Sequence, residues 1–104
     1  MEVEVKVSNL TKEDIVCILE AGFSGDWYGN EHTIKELALR LLEGHSIILK
    51  NYKVGGKYIL RLNNLCTGIG LFIKNGGSTN ISNYDSSDGN RILQYALFGA
   101  LIFG

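Results

Sequence analysis

Acid-base or nucleophilic chemistry would have to come from very few side chains in this sequence. His32 and His45 are the only imidazoles, and Cys17 and Cys66 the only thiols, among 104 residues. Neither histidine stands in an HExxH or HxH pattern or at a cysteine-paired zinc spacing, so no metal set is expected. A thiol, imidazole and carboxylate could be drawn from Cys17 or Cys66, His32 or His45, and Asp85, but no spacing singles them out. Cys17 falls mid-helix beside an apolar face, where burial raises a thiol pKa and makes it inert. Asp85 and Asp88 invite a paired-carboxylate reading, yet their place at the start of a helical pattern explains them as charges at the positive end of a helix dipole. The glycine pairs at 55–56 and 76–77 lack the lysine and hydroxyl of a phosphate loop. The expectation is a protein with no catalytic residue, cofactor or metal.

Binding chemistry remains. Residues 23–32 read as a loop in which Gly25 and Gly29 bracket Asp26, Trp27 and Tyr28, with Glu31 following. Loops carry contacts, and tryptophan and tyrosine combine area with a polar handle. A lone tryptophan also packs at the edge of a core, so Trp27 has two possible roles. Charge supplies a second signal. Residues 1–43 carry nine acids and four bases, whereas residues 44–84 carry Lys50, Lys53, Lys57, Arg61 and Lys74 with no acid at all. Three readings follow. Acidic helices could lie against a basic hairpin and offset its self-repulsion. The hairpin, through Lys50, Lys57 and Arg61, could meet phosphates, or the acidic face could mimic a nucleic-acid backbone in a basic groove of another protein. The last two make binding fall with salt.

The elements that position these groups are legible from periodicity. Residues 2–7 alternate acid or lysine with Val3, Val5 and Val7, the period of a strand with one wet face. Thr11 with Asp14 opens a helix whose apolar face is Ile15, Ile18 and Leu19, and which Gly22 ends. Thr33 with Glu36 opens a second, in which Ile34, Leu37, Ala38, Leu41 and Leu42 make one stripe and Gly44 follows the C-cap. Residues 46–52 and 57–62 flank Lys53-Val54-Gly55-Gly56 as a hairpin, with Tyr58, Leu60 and Leu62 inward and Lys57 and Arg61 outward beside Lys50. Asn63 or Asn64 caps a third helix striped by Leu65, Ile69, Phe72 and Ile73, which Gly68 and Gly70 weaken. Residues 78–87 are a polar loop. Ser86 or Ser87 and Asp88 begin a fourth helix, apolar on two sides, and residues 100–103 are short enough for an edge strand.

With 45% hydrophobic residues and a net charge of −1, the chain can bury one core as a single domain, residues 1–104, of the α+β class. The expected sheet is small and antiparallel, built from the first strand and the hairpin, with about four helices on one face. The net charge also argues against a nucleic-acid binder, and the longest apolar run, residues 94–104, is about half the ~20 residues a membrane helix needs. That run is expected to dock into a core or an interface. No basic-then-apolar leader is visible, so Asn80-Ile81-Ser82 is a chance sequon and the two cysteines are read as reduced thiols in a cytoplasm.

The pattern Asp85-Ser86-Ser87-Asp88-Gly89-Asn90-Arg91-Ile92-Leu93-Gln94-Tyr95-Ala96-Leu97-Phe98-Gly99, continued by Ala100-Leu101-Ile102-Phe103-Gly104, resembles the ending of a family of small proteins from phages and prophages of Gram-positive bacteria. The opening resembles that family more loosely, through the Thr11 to Ile15 helix start and the Trp27-Tyr28 pair. The resemblance implies an accessory protein in the cytoplasm of a bacterial host and brings no catalytic residues. Such proteins often blunt host defence by binding. The leading expectation is therefore a non-enzymatic inhibitor of a host defence effector, working by protein contact through its acidic helices and Trp27-Tyr28. The alternative is a homo-oligomeric sponge for a nucleotide signal, with hairpin cations on phosphate and an aromatic on the base. Gln94 and Tyr95, polar groups in an apolar helix, hydrogen-bond within the core or line a contact.

Overall fold

A computed structural model describes residues 10–29 and 32–103. The expected strand at residues 2–7, and Glu31, lie outside them. The described chain runs α1 (Lys12–Phe23), β1 (Trp27–Gly29), α2 (Ile34–Leu42), β2 (Ile47–Asn51), β3 (Lys57–Leu60), α3 (Leu62–Lys74), a 3₁₀ turn (Ile81–Asn83) and α4 (Ser86–Phe98). The three strands form an antiparallel sheet in the order β1-β2-β3, so the molecule is of the α+β class.

The same device opens α1 and α4. The Thr11 hydroxyl accepts from the Asp14 amide at 3.1 Å while the Asp14 carboxylate accepts from the Thr11 amide at 3.1 Å, and Asp85 and Asp88 repeat the exchange at 2.9 and 3.1 Å. Reciprocal capping satisfies donors that a helix start otherwise leaves open, and it gives Asp85 and Asp88 a structural role. At α2 the Thr33 hydroxyl accepts from the Glu36 amide, but the Glu36 carboxylate turns to the Thr33 hydroxyl and to His32 Nδ1 at 3.1 Å. Those hydrogen bonds, that from His32 first, hold the Glu36 carboxyl below its ordinary pKa.

Three expectations are corrected. The stretch read as a loop contains β1, paired Trp27 to Asn51, Tyr28 to Lys50 and Gly29 to Leu49. Three residues are too few to show alternation, and their pairing is non-local. The hairpin strand ends at Leu60, and α3 begins at Leu62 after Arg61, with no side-chain cap from Asn63 or Asn64. Leu60 and Leu62 fit a strand period, but Leu62, Leu65, Cys66 and Ile69 fit a helical one and all four are buried, so the longer pattern prevails. Residues 100–103 form no strand.

Gly68, which would weaken an isolated helix, is required where α3 meets α4. A Cβ there would stand 2.7 Å from both the Ala96 amide and the Ile92 carbonyl. Gly89 serves the same purpose between α4 and α1, where a Cβ would fall on the Gly22 backbone. Close helix contact outweighs a propensity cost of about 1 kcal/mol per glycine. One apolar cluster follows, in which Ile15, Ile18, Leu37, Leu41, Leu65, Ile69, Phe72 and Ile92 meet the inner face of the sheet.

Candidate functional site

Strand alternation sorts the sheet into two faces. Inward go Trp27, Ile47, Leu49, Asn51 and Leu60, all buried, with half-buried Tyr58 beside them. Outward go Tyr28 from β1, Ile48 and Lys50 from β2, and Lys57 and Ile59 from β3. Register gathers them into rows across the strands: Tyr28 pairs with Lys50, which pairs with Lys57, and Ile48 pairs with Ile59. The Tyr52 amide donates to the Asp26 carbonyl at 2.8 Å, extending the β1-β2 pairing by one step. Its ring thereby stacks on Tyr28, centroids 4.1 Å apart at 21°.

The turn fixes this geometry. Gly55 and Gly56 both adopt positive φ, 71° and 88°, which glycine alone takes without strain. The Asn51 Oδ1 accepts from the amides of Lys53 and Val54 at 2.8 and 2.9 Å, while its Nδ2 is buried without a partner. The Tyr58 hydroxyl donates to the Gly55 carbonyl at 2.8 Å.

The outer face combines apolar exposure with positive charge that no carboxylate of the described residues meets. Ile48, Ile59 and Tyr52 are 47%, 65% and 70% exposed. Lys50 Nζ lies 6.0 Å from the Tyr28 ring centroid, at the limit of a cation–π contact. Lys50 and Lys57 stand directly opposite each other, an arrangement that costs a sheet a few tenths to about 1 kcal/mol. Among the described residues the one contact of a carboxylate with a basic side chain is that of Glu36 with His32, so no carboxylate there offsets Lys50, Lys57 or Arg61. The acidic helices therefore do not neutralise these cations by contact, and Glu13, Asp14, Glu20, Glu36 and Glu43 ride on or beside the helices of the other layer.

The predicted site residues separate accordingly. Tyr28, Lys50 and Lys57 come together on the outer face. Trp27 does not join them: it is 0% exposed, its Nε1 donates to Asn90 Oδ1 at 2.8 Å, and its ring packs on Tyr58, Phe98 and Phe103. Its role is the core one, because adjacent strand residues face opposite ways and only one of Trp27 and Tyr28 can reach solvent. Asp26 lines a separate cleft of about 210 Å³ with Ser86, Ser87 and Asn90, and Arg61 another of about 230 Å³ beside Leu42 and Asn63. Tyr52, Ile48 and Ile59 were missed. Reading Ile48-x-Lys50-x-Tyr52 as one alternating face would have found two of them.

Elsewhere, Cys17 is half-buried on a cleft of about 250 Å³ lined also by Glu20, Ser24 and Tyr84, and no imidazole lines it. Burial pushes up the Tyr84 phenol, with the Asp88 charge adding to it, and burial raises the Cys66 thiol. The inert buried thiol is thus Cys66, and Cys17 lies nearer solvent than expected.

Gln94, 1% exposed, resolves within the core. Its Oε1 accepts from the amides of Ile102 and Phe103 at 2.8 and 3.1 Å, and its Nε2 donates to the Phe103 carbonyl at 3.0 Å. The apolar segment after α4 therefore folds back at Gly99, which has φ 74°, and docks Phe103 on Trp27. Leu101 and Ile102 stay exposed.

Protein-family models, curated proteins and solved structures were all compared with the chain, and none matches it. Among the described residues no helix is long and apolar enough to cross a membrane, and no cluster of three or more metal-ligating side chains occurs.

Proposed function

We propose that this protein is a non-catalytic binding module whose working surface is the outer face of its sheet, and that it acts by covering an acidic surface of a bacterial host protein. The observation that carries the reading is the face itself. Stacked tyrosines, two opposed lysines without carboxylate partners among the described residues and two exposed isoleucines share one side of three strands. Aromatic anchors ringed by charge are what protein contacts use, and a pair of like charges kept opposite each other costs stability that folding alone does not require. The C-terminal resemblance to phage accessory proteins supports a host defence effector as the partner. Positive charge on the sheet and negative charge on the helices would orient the encounter.

A nucleotide signal is the second reading, favoured by the exposed Tyr52 ring beside lysines that suit a base and a phosphate. Affinity capture from host cells with the wild-type chain and a Tyr52→Ala/Lys57→Glu variant tests the first. A host protein retained by the wild type and lost from the variant supports it; equal retention by both contradicts it. A melting temperature raised by one nucleotide of a panel, and not in the variant, favours the second, since binding stabilises by RT ln(1 + [L]/Kd).

A further inference from the structure

From the order of the rows we infer that the sheet face takes an extended, strand-like segment of a partner protein that places one carboxylate between an aromatic and an aliphatic side chain at alternate positions. The inference rests on the sheet-face reading and names the chemistry of the occupant. Along β2 and the residue that follows it the outward positions run Tyr52, Lys50, Ile48, and they step by two residues, about 6.7 Å each. Across the strands Lys50 pairs with both Tyr28 and Lys57, Ile48 pairs with Ile59, and the Tyr28 ring stacks on that of Tyr52. The face is therefore banded, aromatic at the turn end, cationic in the middle, aliphatic at the other.

A strand lying over β2 presents its own alternate side chains at the same spacing, so one aromatic, one acid and one aliphatic group meet the three bands in register. A helix matches the step less well, because its i, i+4 groups stand about 6 Å apart on a narrow, curved stripe. Single-stranded nucleic acid fits less well for a different reason. It asks for cations that track a backbone, whereas here Lys50 and Lys57 form one row with apolar groups on both flanks. The flanks matter to the charge as well, since excluding water around the lysine row strengthens its attraction for a carboxylate.

The test is an NMR titration of the full chain with a blocked heptapeptide whose glutamate stands two residues from a phenylalanine on one side and a valine on the other, with threonines elsewhere. A lysine-for-glutamate peptide and a ten-residue oligothymidylate are the comparison ligands. The glutamate peptide should shift the amides of Tyr28, Ile48, Lys50, Tyr52, Lys57 and Ile59, and the lysine peptide should not. Lys50→Glu with Lys57→Glu should weaken the first by roughly tenfold and admit the second. Shifts of these amides by the oligothymidylate alone would overturn the peptide assignment while keeping the face as the working surface. Silence of the face toward all three ligands would overturn both.

Discussion

The two faces of one three-stranded sheet are built from neighbouring residues and obey opposite rules. Inward, Trp27, Leu49 and Leu60 are fully buried, and the buried polar Asn51 closes the turn, its Oδ1 accepting from the amides of Lys53 and Val54. Outward, one residue away at each step, Tyr28, Lys50 and Ile59 meet solvent, and two lysines oppose each other without a counter-charge among the described residues. The inner face is explained by folding, with the Asn51 Nδ2 the one buried side-chain polar atom left unpaired among the described residues. The outer one sets two like charges opposite each other, which a sheet selected only for stability would avoid, and leaves Ile48 and Ile59 open to solvent. That contrast is what supports the proposed binding role of the outer face.

Mutation should separate the faces, and the largest effect belongs to the inner one. Trp27→Ala removes the ring that Tyr58, Phe98 and Phe103 pack on and leaves Asn90 without its donor, and should cost about 3–5 kcal/mol in denaturant unfolding. In a Cys17→Ser background the buried Cys66 should then be alkylated faster, by about tenfold for each 1.4 kcal/mol lost. Unchanged stability would place Trp27 outside the core. Gln94→Ala comes next. It leaves three backbone groups of Ile102 and Phe103 without their side-chain partner and should cost about 1–3 kcal/mol, with faster hydrogen exchange at those two amides.

On the outer face the expected effects on folding shrink. Ile59→Thr should change unfolding free energy by no more than about 0.5 kcal/mol while weakening any contact made through the aliphatic band. A loss comparable to that of Trp27→Ala would show that the two faces do not differ as described. The smallest effect lies on neither face. The Glu36 carboxyl is held below its ordinary value by His32 and Thr33, so its contribution is present above the unfolded carboxyl pKa and is lost as pH falls through the lowered one. An acid titration followed at the α2 amides should show loosening there below about pH 4.5, absent in Glu36→Gln.

How much of this was legible depends on the range of the interaction. The starts of α1 and α2, the hairpin and its glycine turn are local, and Thr11, Thr33 and Gly55-Gly56 announce them in the sequence. Strand β1 is not local: three residues become a strand only because Asn51, more than twenty positions away, supplies the partner. The same dependence hid the candidate surface. Tyr28 was singled out with Trp27 as a pair, and only the register shows that they point apart and that Tyr28 belongs with Tyr52 and Lys57. Gly68, which locally weakens a helix, makes sense only once α4 lies against it.

The most direct test of the account is Lys57→Glu, read for thermal stability and for retention of the wild-type partner in the same preparation. Placing an acid opposite Lys50 should leave the melting temperature equal or higher while weakening partner retention. A melting temperature that falls together with undiminished retention would show that the opposed lysines serve the fold and that the sheet's outer face is not where this protein works.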